Sequence, residues 1–422
     1  MELKKYKFID LLQPDKGVMK GPFGGDIKKE FFVPKSADTY KVYEQSVVYN
    51  KNHRVGKYYI SSERFSKLKR FEVKPKDILV SGAGTLGDLY ELPEDIEPGI
   101  INQALIRLRI NENIVDRGFF KYYFSWYIKV VACRQIGASV IPNFPPIEDL
   151  KKITVLLPDL ATQHKIASVL SVLDSKIALN RAINRNLEAL AKQLYDYWFV
   201  QFDFPDENAR PYKSSGGKMV WNEVLKREIP IAWKSGAFSD IANITMGQSP
   251  DGSSYNEKGE GIVFYQGSTD FGILFPSVRM YTTSPSRYAK QGDILMSVRA
   301  PVGAVNIANS DCCIGRGLSA INSKKGSVTY IYYVIHYLKV RFDSLNTAGT
   351  TFGSITKDEL FSLPVVIPSE KILERFEAIC KPIFNKQMEI GFEIESLTRQ
   401  RDELLPLLMN GQITVNSDLS AR

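Results

Sequence analysis

The sequence predicts an α+β chain built as a tandem repeat: two β-rich modules with helices, each followed by one long helix. Three observations carry this. From Ala161 to Phe199 there is neither Gly nor Pro, and about 39 residues at 1.5 Å per residue would extend about 60 Å as one helix. Within that stretch Ile166, Leu170, Leu173, Ile177, Asn180, Asn184, Leu187, Ala191, Leu194 and Trp198 step by fours and threes, the seam spacing of a coiled coil. Phe376, Cys380, Ile383, Gln387, Ile390, Ile394, Leu397, Arg401, Leu404 and Leu408 then repeat the same stepping about 210 residues later. A helix of this length does not bury such a stripe alone, so each seam is the natural partner of the other. The two adjacent seam asparagines weaken the pairing and fix its register.

In chain order, residues 1–158 form the first module. VVYNKN and KYYIS read as strands, and KPKDILVSGAGTLGDLYEL reads as strand, tight turn, strand. Arg117 to Gly137 is an aromatic-rich amphipathic helix whose rings read as core. The first long helix takes 159–200. Residues 201–230, rich in Pro, Gly, Ser and charge without a sustained period, read as a linker. The second module covers 231–368, with strands in FYQG, KQGDILMSVRAPVGAVNIA and CCIGRGLSAIN and a helix in TYIYYVIHYLKVRFDSLN. The second long helix spans 369–410, and 411–422 is a tail. KPKDILVSGAGTLG (74–87) aligns with KQGDILMSVRAPVG (290–303), INQALIRL (101–108) with IGRGLSAI (314–321), and ITVLLPD with LPVVIPS ahead of the helices. Equal frameworks with different loops suggest one scaffold presenting two binding surfaces.

Bulk properties narrow the function classes. The 422 residues suit two to four domains, and a formal charge of +8 leans weakly towards a polyanionic partner. No run approaches 18 apolar residues, and MELKKYKFIDLL has no signal-peptide core, which predicts a cytoplasmic protein without a membrane role. Cys133, Cys312, Cys313 and Cys380 lack metal or disulfide spacing, and His53, His164 and His336 lie far apart, so no metal site is expected.

Most candidate chemistry dissolves on inspection. Gly82 to Gly87 fits GxGxxG after a strand, but a dinucleotide site needs a helix next, and DLYELPED reads as strand and turn. The aligned residues Val298 to Gly303 keep only the last glycine. Asn143-Phe144-Pro145-Pro146 carries the letters of the adenine methyltransferase motif NPPF in the wrong order. There is no phosphate-binding GxxxxGK[ST] loop, and the acid pairs Glu148/Asp149 and Asp358/Glu359 read as solvated faces. No catalytic, cofactor-binding or metal-ligating residue is expected.

What remains is polar side chains in loops, of the kinds that read base edges or grip phosphates. In the first module these are Lys20, Lys51, Asn52, Arg54, Ser81, Thr85, Gln103, Arg134 and Asn143. In the second they are Gln248, Ser249, Gln266, Ser268, Arg299, Arg316, Thr347, Thr350 and Thr351. Arg299 and Arg316 stand out, because glycine or proline neighbours let a backbone come close.

LNRAINRNLEALAKQLYDYWFVQFDFPDENARPYKSSGGKMVWNEVLKREIP closely resembles the central region of type I restriction–modification specificity subunits. So do ITMGQSPDGSSYN, YQGSTDFG, GDILMSVRAPVGAVNIA and CIGRGLSAI. The resemblance covers nearly the whole chain from about residue 74; the opening lacks the IPxxW entry seen at Ile229 to Trp233. It implies two target recognition domains, each binding half of a split, asymmetric site in double-stranded DNA. It implies that the long helices pair antiparallel as a spacer in a pseudo-twofold frame. It also implies docking of two methyltransferase subunits and two restriction motor subunits, with S-adenosylmethionine, ATP and Mg in those partners and no cofactor in this chain. Exposed docking stripes leave a homodimer open for the isolated chain. Two alternatives remain at this point: a coiled-coil scaffold bridging two proteins without reading DNA, and a self-contained DNA methyltransferase.

Overall fold

Short apolar runs ended by Gly, Pro or Asn fold as short strands, and the two uninterrupted periodic stretches fold as long helices, in a computed structural model. It describes residues 2–82, 88–127, 147–150, 152–347 and 353–415. The chain divides into two units, Met1–Lys176 with Leu397–Arg422, and Ile177–Ser396. This differs from the boundaries expected at 158/159 and 368/369. Each long helix belongs partly to each unit, because its seam residues are core residues of the unit beside them.

The first unit carries a four-stranded antiparallel sheet ordered Val18–Lys20, Leu105–Leu108, Ile78–Ser81, Leu89–Glu91. The ILVS strand is buried on both faces. Ile78 and Val80 enter a core with Phe8, Leu108, Phe120, Leu170 and Leu408, while Leu79 enters a second core with Val42, Ile60 and Ile100. Such period-two alternation into two cores explains why the strand reads as a continuous apolar run. A three-stranded sheet adds Tyr59–Ser61, Thr39–Tyr43 and Gly99–Ile101, the last pair parallel.

The second unit repeats this plan. Its four-stranded sheet runs Ala242–Met246, Leu318–Ser323, Ile294–Ser297, Val305–Ile307, antiparallel throughout. Ile294 and Met296 enter one core and Leu295 another. Ile262–Tyr265 pairs in parallel with Cys312–Ile314, as Thr39–Tyr43 does with Gly99–Ile101. The chain's opening obeys the repeat as well. Lys4–Lys7 pairs with Thr154–Leu157 as Lys234–Ala237 pairs with Pro364–Ile367. Asp10 then accepts from Lys7 N at 2.9 Å, as Asp240 does from Ala237 N at 2.8 Å.

The first long helix, Leu160–Tyr195, is capped by Asp159, whose Oδ1 accepts from Thr162 N at 2.8 Å. It closes in a π turn over Asp196–Val200. The second runs Glu370–Met409. In both helices every seam residue is buried or half-buried. Within the second unit Asn180 faces Glu393, Asn184 and Glu188 face Gln387, and Tyr195 and Trp198 meet Phe376, so the helices run antiparallel. Within the first unit Asp174 meets Arg401 at 2.8 Å, in the same sense.

Two expectations need correction. VVYNKN is not a strand: Gln45–Tyr49 is a short helix with Val47 and Val48 fully buried. Residues 201–230 are not a simple linker. Phe202 and Phe204 are buried, Phe204 stacks on Trp233 at 4.7 Å, and Met219–Asn222 pairs with Arg227–Pro230 in a hairpin. Irregularly spaced aromatics anchor this segment, so periodicity did not reveal it. No helix of the described residues is long and apolar enough to cross a membrane.

Candidate nucleic-acid interface

In the second unit, backbone hydrogen bonds gather several loop candidates at one end of the four-stranded sheet. Gly247 N donates to Leu318 O at 2.9 Å, and Gln248 N donates to Ile314 O at 3.0 Å. A Cβ on Gly247 would lie 2.2 Å from Gly315 O, so only glycine lets the strand end meet the turn at 315–317. Arg316 N donates to Ser249 Oγ at 3.3 Å. Gly315 N donates to Tyr265 O at 2.9 Å, and a Cβ on Gly317 would meet Gln266 O at 2.8 Å. Gln248, Ser249, Gln266 and Arg316 thus converge, with Ser268 in the 3-10 turn that follows Gln266. Asp270 holds that turn, accepting from Gln266 N at 3.1 Å and from Arg279 Nε at 2.8 Å. Val298 N donates to Gly317 O at 3.0 Å, which sets Arg299 beside the same turn. Arg299 and Arg316 are exposed, and neither guanidinium has a partner among the described residues.

The first unit builds the same turn with other side chains. Gly21 N donates to Leu105 O at 2.9 Å, and a Cβ there would lie 1.7 Å from Asn102 O. Asn102 N donates to Tyr43 O at 2.9 Å and Gly82 N to Ala104 O at 2.8 Å. Gln103 therefore occupies the place of Arg316, and it is exposed, as is Lys20 just before Gly21.

The structure distributes the remaining candidates differently. Ser81 is fully buried, accepts from Gln45 Nε2 at 3.0 Å and shares a hydrogen bond with Tyr49 OH at 3.2 Å. It supports the turn and does not face solvent, which corrects its place among the exposed readers. Lys51 donates to Leu89 O at 2.5 Å, and Asn52 Oδ1 accepts from Arg54 N at 2.9 Å. Arg54 donates to Asp95 at 2.9 Å, and this bond holds the Asp95 carboxyl below the usual carboxylate range. Asn52 orders its own loop, while Lys51 and Arg54 tie that loop to the segment 89–95. Thr85, Arg134, Asn143, Thr350 and Thr351 lie outside the described residues, as does the Asn143–Pro146 motif. Thr347 closes the helix Val328–Thr347, and its side chain lies outside the described set too.

Sequence reasoning missed an open cleft of about 680 Å³ in the first unit, lined among others by Gln45, Tyr49, Lys57, Tyr58 and Asn102. Glu44 lines it too, and Gln45 Nε2 and Tyr49 OH are engaged with Ser81; the reading of VVYNKN as a strand hid the short helix that brings these residues together. Of the GxGxxG motif only Gly82 lies within the described residues; on either side of it Ile78–Ser81 and Leu89–Glu91 pair antiparallel. Glu148, Asp149, Asp358 and Glu359 are exposed, and Glu359 caps its own helix with Thr356. Among the described residues no group of three His, Cys, Asp or Glu is placed to hold a metal.

Comparison with known proteins agrees with the repeat. Residues 24–189 and 230–393 each match the family described as the type I restriction modification DNA specificity domain. The chain is 33% identical over 329 residues, 74% of its length and 72% of the relative's, to a putative type I restriction enzyme MjaX specificity subunit of Methanocaldococcus jannaschii. It is 24% identical over 409 residues to the type I restriction enzyme HindI specificity subunit of Haemophilus influenzae, covering 81% of this chain and 87% of that one. In fold it is similar to the type I restriction–modification system S subunit from M. genitalium, with a TM-score of 0.54 at 18% identity over 97% of this chain and 96% of that one.

Proposed function

Because the chain belongs to the family of type I restriction–modification DNA specificity subunits, we propose that each unit reads one half of a split, asymmetric site in double-stranded DNA, and that the paired helices set the distance between the halves. Specificity subunits act with other restriction–modification subunits and DNA. One observation carries the finer reading: the same glycine-held turn ends the same four-stranded sheet in both units, with Gln103 in one and Arg316 in the other. A constant scaffold with exchanged side chains is what two different half-sites require.

The chain is non-catalytic in this reading. Two methyltransferase subunits bring S-adenosylmethionine and flip the target adenine, and two motor subunits bring ATP and Mg, in the cytoplasm. The first long helix supports such docking. Val172, Leu179, Ile183 and Leu190 are large, apolar and exposed on it, at spacings of seven, four and seven that lie off the seam.

Methylome sequencing of a host expressing this chain with its methyltransferase partner tests the proposal. A bipartite motif with two unlike halves is expected. A continuous motif, or methylation indifferent to this chain, overturns it, and the second result favours a scaffold that bridges proteins without reading DNA. Binding of S-adenosylmethionine by the isolated chain would point to a self-contained methyltransferase.

A further inference from the structure

Phe23 is 84% exposed, more than any other large apolar side chain among the described residues. It sits two residues beyond Gly21, as Ser249 sits two beyond Gly247 beside Arg316. The ring therefore stands at the edge of the turn bearing Gln103, on the reading end of the first unit. Its backbone is braced from both sides. Pro22 before it is buried and Gly21 is pinned to Leu105 O. After it, Asp26 N donates to Phe23 O at 2.8 Å and Ile27 enters the core. Arg64 lies 4.0 Å over the Phe31 ring and donates to Asp26 O at 2.6 Å from Nη2 and 3.2 Å from Nε.

Two features select the ligand. A Cβ on Gly24 or Gly25 would meet nothing within 4 Å, so the tip is thin and lets another surface close around the ring. Between residues 20 and 30 the charges are Lys20, Lys28 and Lys29 against Asp26 and Glu30, and Lys28 pairs with Glu30 at 3.8 Å, which leaves Lys20 and Lys29 as the exposed cations of the loop without an ion pair among the described residues. An exposed apolar ring on a loop of net positive charge, next to the turn bearing Gln103 and directly after Lys20, fits the base stack and phosphates of a duplex better than an apolar protein face. The second unit has Ser249 at the corresponding place, so the feature is confined to one half.

We propose that Phe23 is an apolar wedge that enters one base step of one half-site, so that the first unit reads deformability there as well as base edges. This rests on the DNA-reading function proposed above.

The test uses the complex of the full chain with its methyltransferase partner and a duplex carrying the motif found by methylome sequencing. 2-Aminopurine is placed singly at purine positions of both half-sites, the methylated adenine excepted. Wild-type protein should raise fluorescence at one step of one half-site only. Phe23→Ala should abolish that signal and weaken site binding about 10- to 100-fold, as loss of one aromatic stacking contact does. Phe23→Leu, still able to wedge, should keep most of the signal. The ring is exposed, so neither variant threatens folding. Unchanged fluorescence and affinity in Phe23→Ala overturn the wedge. So does an affinity loss without any fluorescence step in the wild type, and so does a loss of methyltransferase from the complex with DNA binding intact, which marks a protein contact. Failure of the wild-type complex to bind the motif at all defeats the DNA-reading function itself, a separately visible result.

Discussion

Arg316 is exposed, unpartnered among the described residues and held by its own amide against Ser249 Oγ. A guanidinium presented from a turn fixed this way can make a bidentate contact to guanine. Arg316→Ala should therefore relax one position of one half-site and cost about 1–3 kcal/mol there. Methylation profiling of the variant shows which: a uniform loss over all sequences, with a shallower salt dependence, would mark a phosphate contact. His336 makes a prediction of another kind. Burial against Tyr332 and Tyr333 pushes its imidazole down to about 4, and Nε2 has no partner among the described residues. The unfolded chain takes up the proton near pH 6.5 and the folded chain resists it, so this contribution to stability is present above pH 6.5 and lost as pH falls towards 4. Denaturant unfolding across that window should show a weaker pH dependence in His336→Phe than in wild type. In the sequence, nearby glycine or proline singles out Arg299 and Arg316, and the structure leaves both side chains exposed. Ser81 misled, since a serine after an apolar strand looks the same whether it faces solvent or, as here, is itself buried and accepts from the half-buried Gln45.

Elements were legible where one period ran long. The two seams could be followed position by position, and the structure buries or half-buries each of them. Elements held by isolated contacts were not legible. The chain's opening repeats Phe238-Ser-Asp240 as Phe8-Ile-Asp10, three letters that carry no period, although both phenylalanines are fully buried. Gly391 is another case. It lies in the middle of a helix, where glycine costs about 1 kcal/mol against alanine. A Cβ there would be 2.6 Å from Phe275 Cε2 and 2.9 Å from Leu274 Cδ2, so the glycine makes room for the 271–276 loop to pack on the helix. Phe275 also meets Phe392 at 4.8 Å. Gly391→Ala should be net destabilising, by about 1–2 kcal/mol, as overpacking outweighs the gain in helix propensity. Trimming the ring in Gly391→Ala/Phe275→Leu should recover part of that loss. Strict additivity of the two substitutions in denaturant unfolding would refute the contact.

At the scale of the molecule, the points where the chain divides are the places to test the spacer. The divisions fall between Lys176 and Ile177 and between Ser396 and Leu397, inside both long helices. Seven residues inserted at each point leave the packing of both units untouched and preserve the four-three phase of both seams. They lengthen each helix by about 10 Å, close to three base pairs of duplex. The recognised motif should keep both half-site sequences while the gap between them grows by two or three base pairs, read directly by methylome sequencing. Inserting into one helix alone should fail, because the antiparallel contacts of Asn180 with Glu393 and Asn184 with Gln387 tie the two seams together in one register. Under the proposed spacing role, those asparagines would make the spacer discrete. An all-leucine seam could slip by a heptad and accept several gaps, whereas Asn184 shifted along the helix would lose its bond to Gln387 O and bury an unpaired amide. Asn184→Leu should thus raise stability yet broaden the set of accepted spacings, and a variant that is more stable with an unchanged gap would show that the register is set elsewhere.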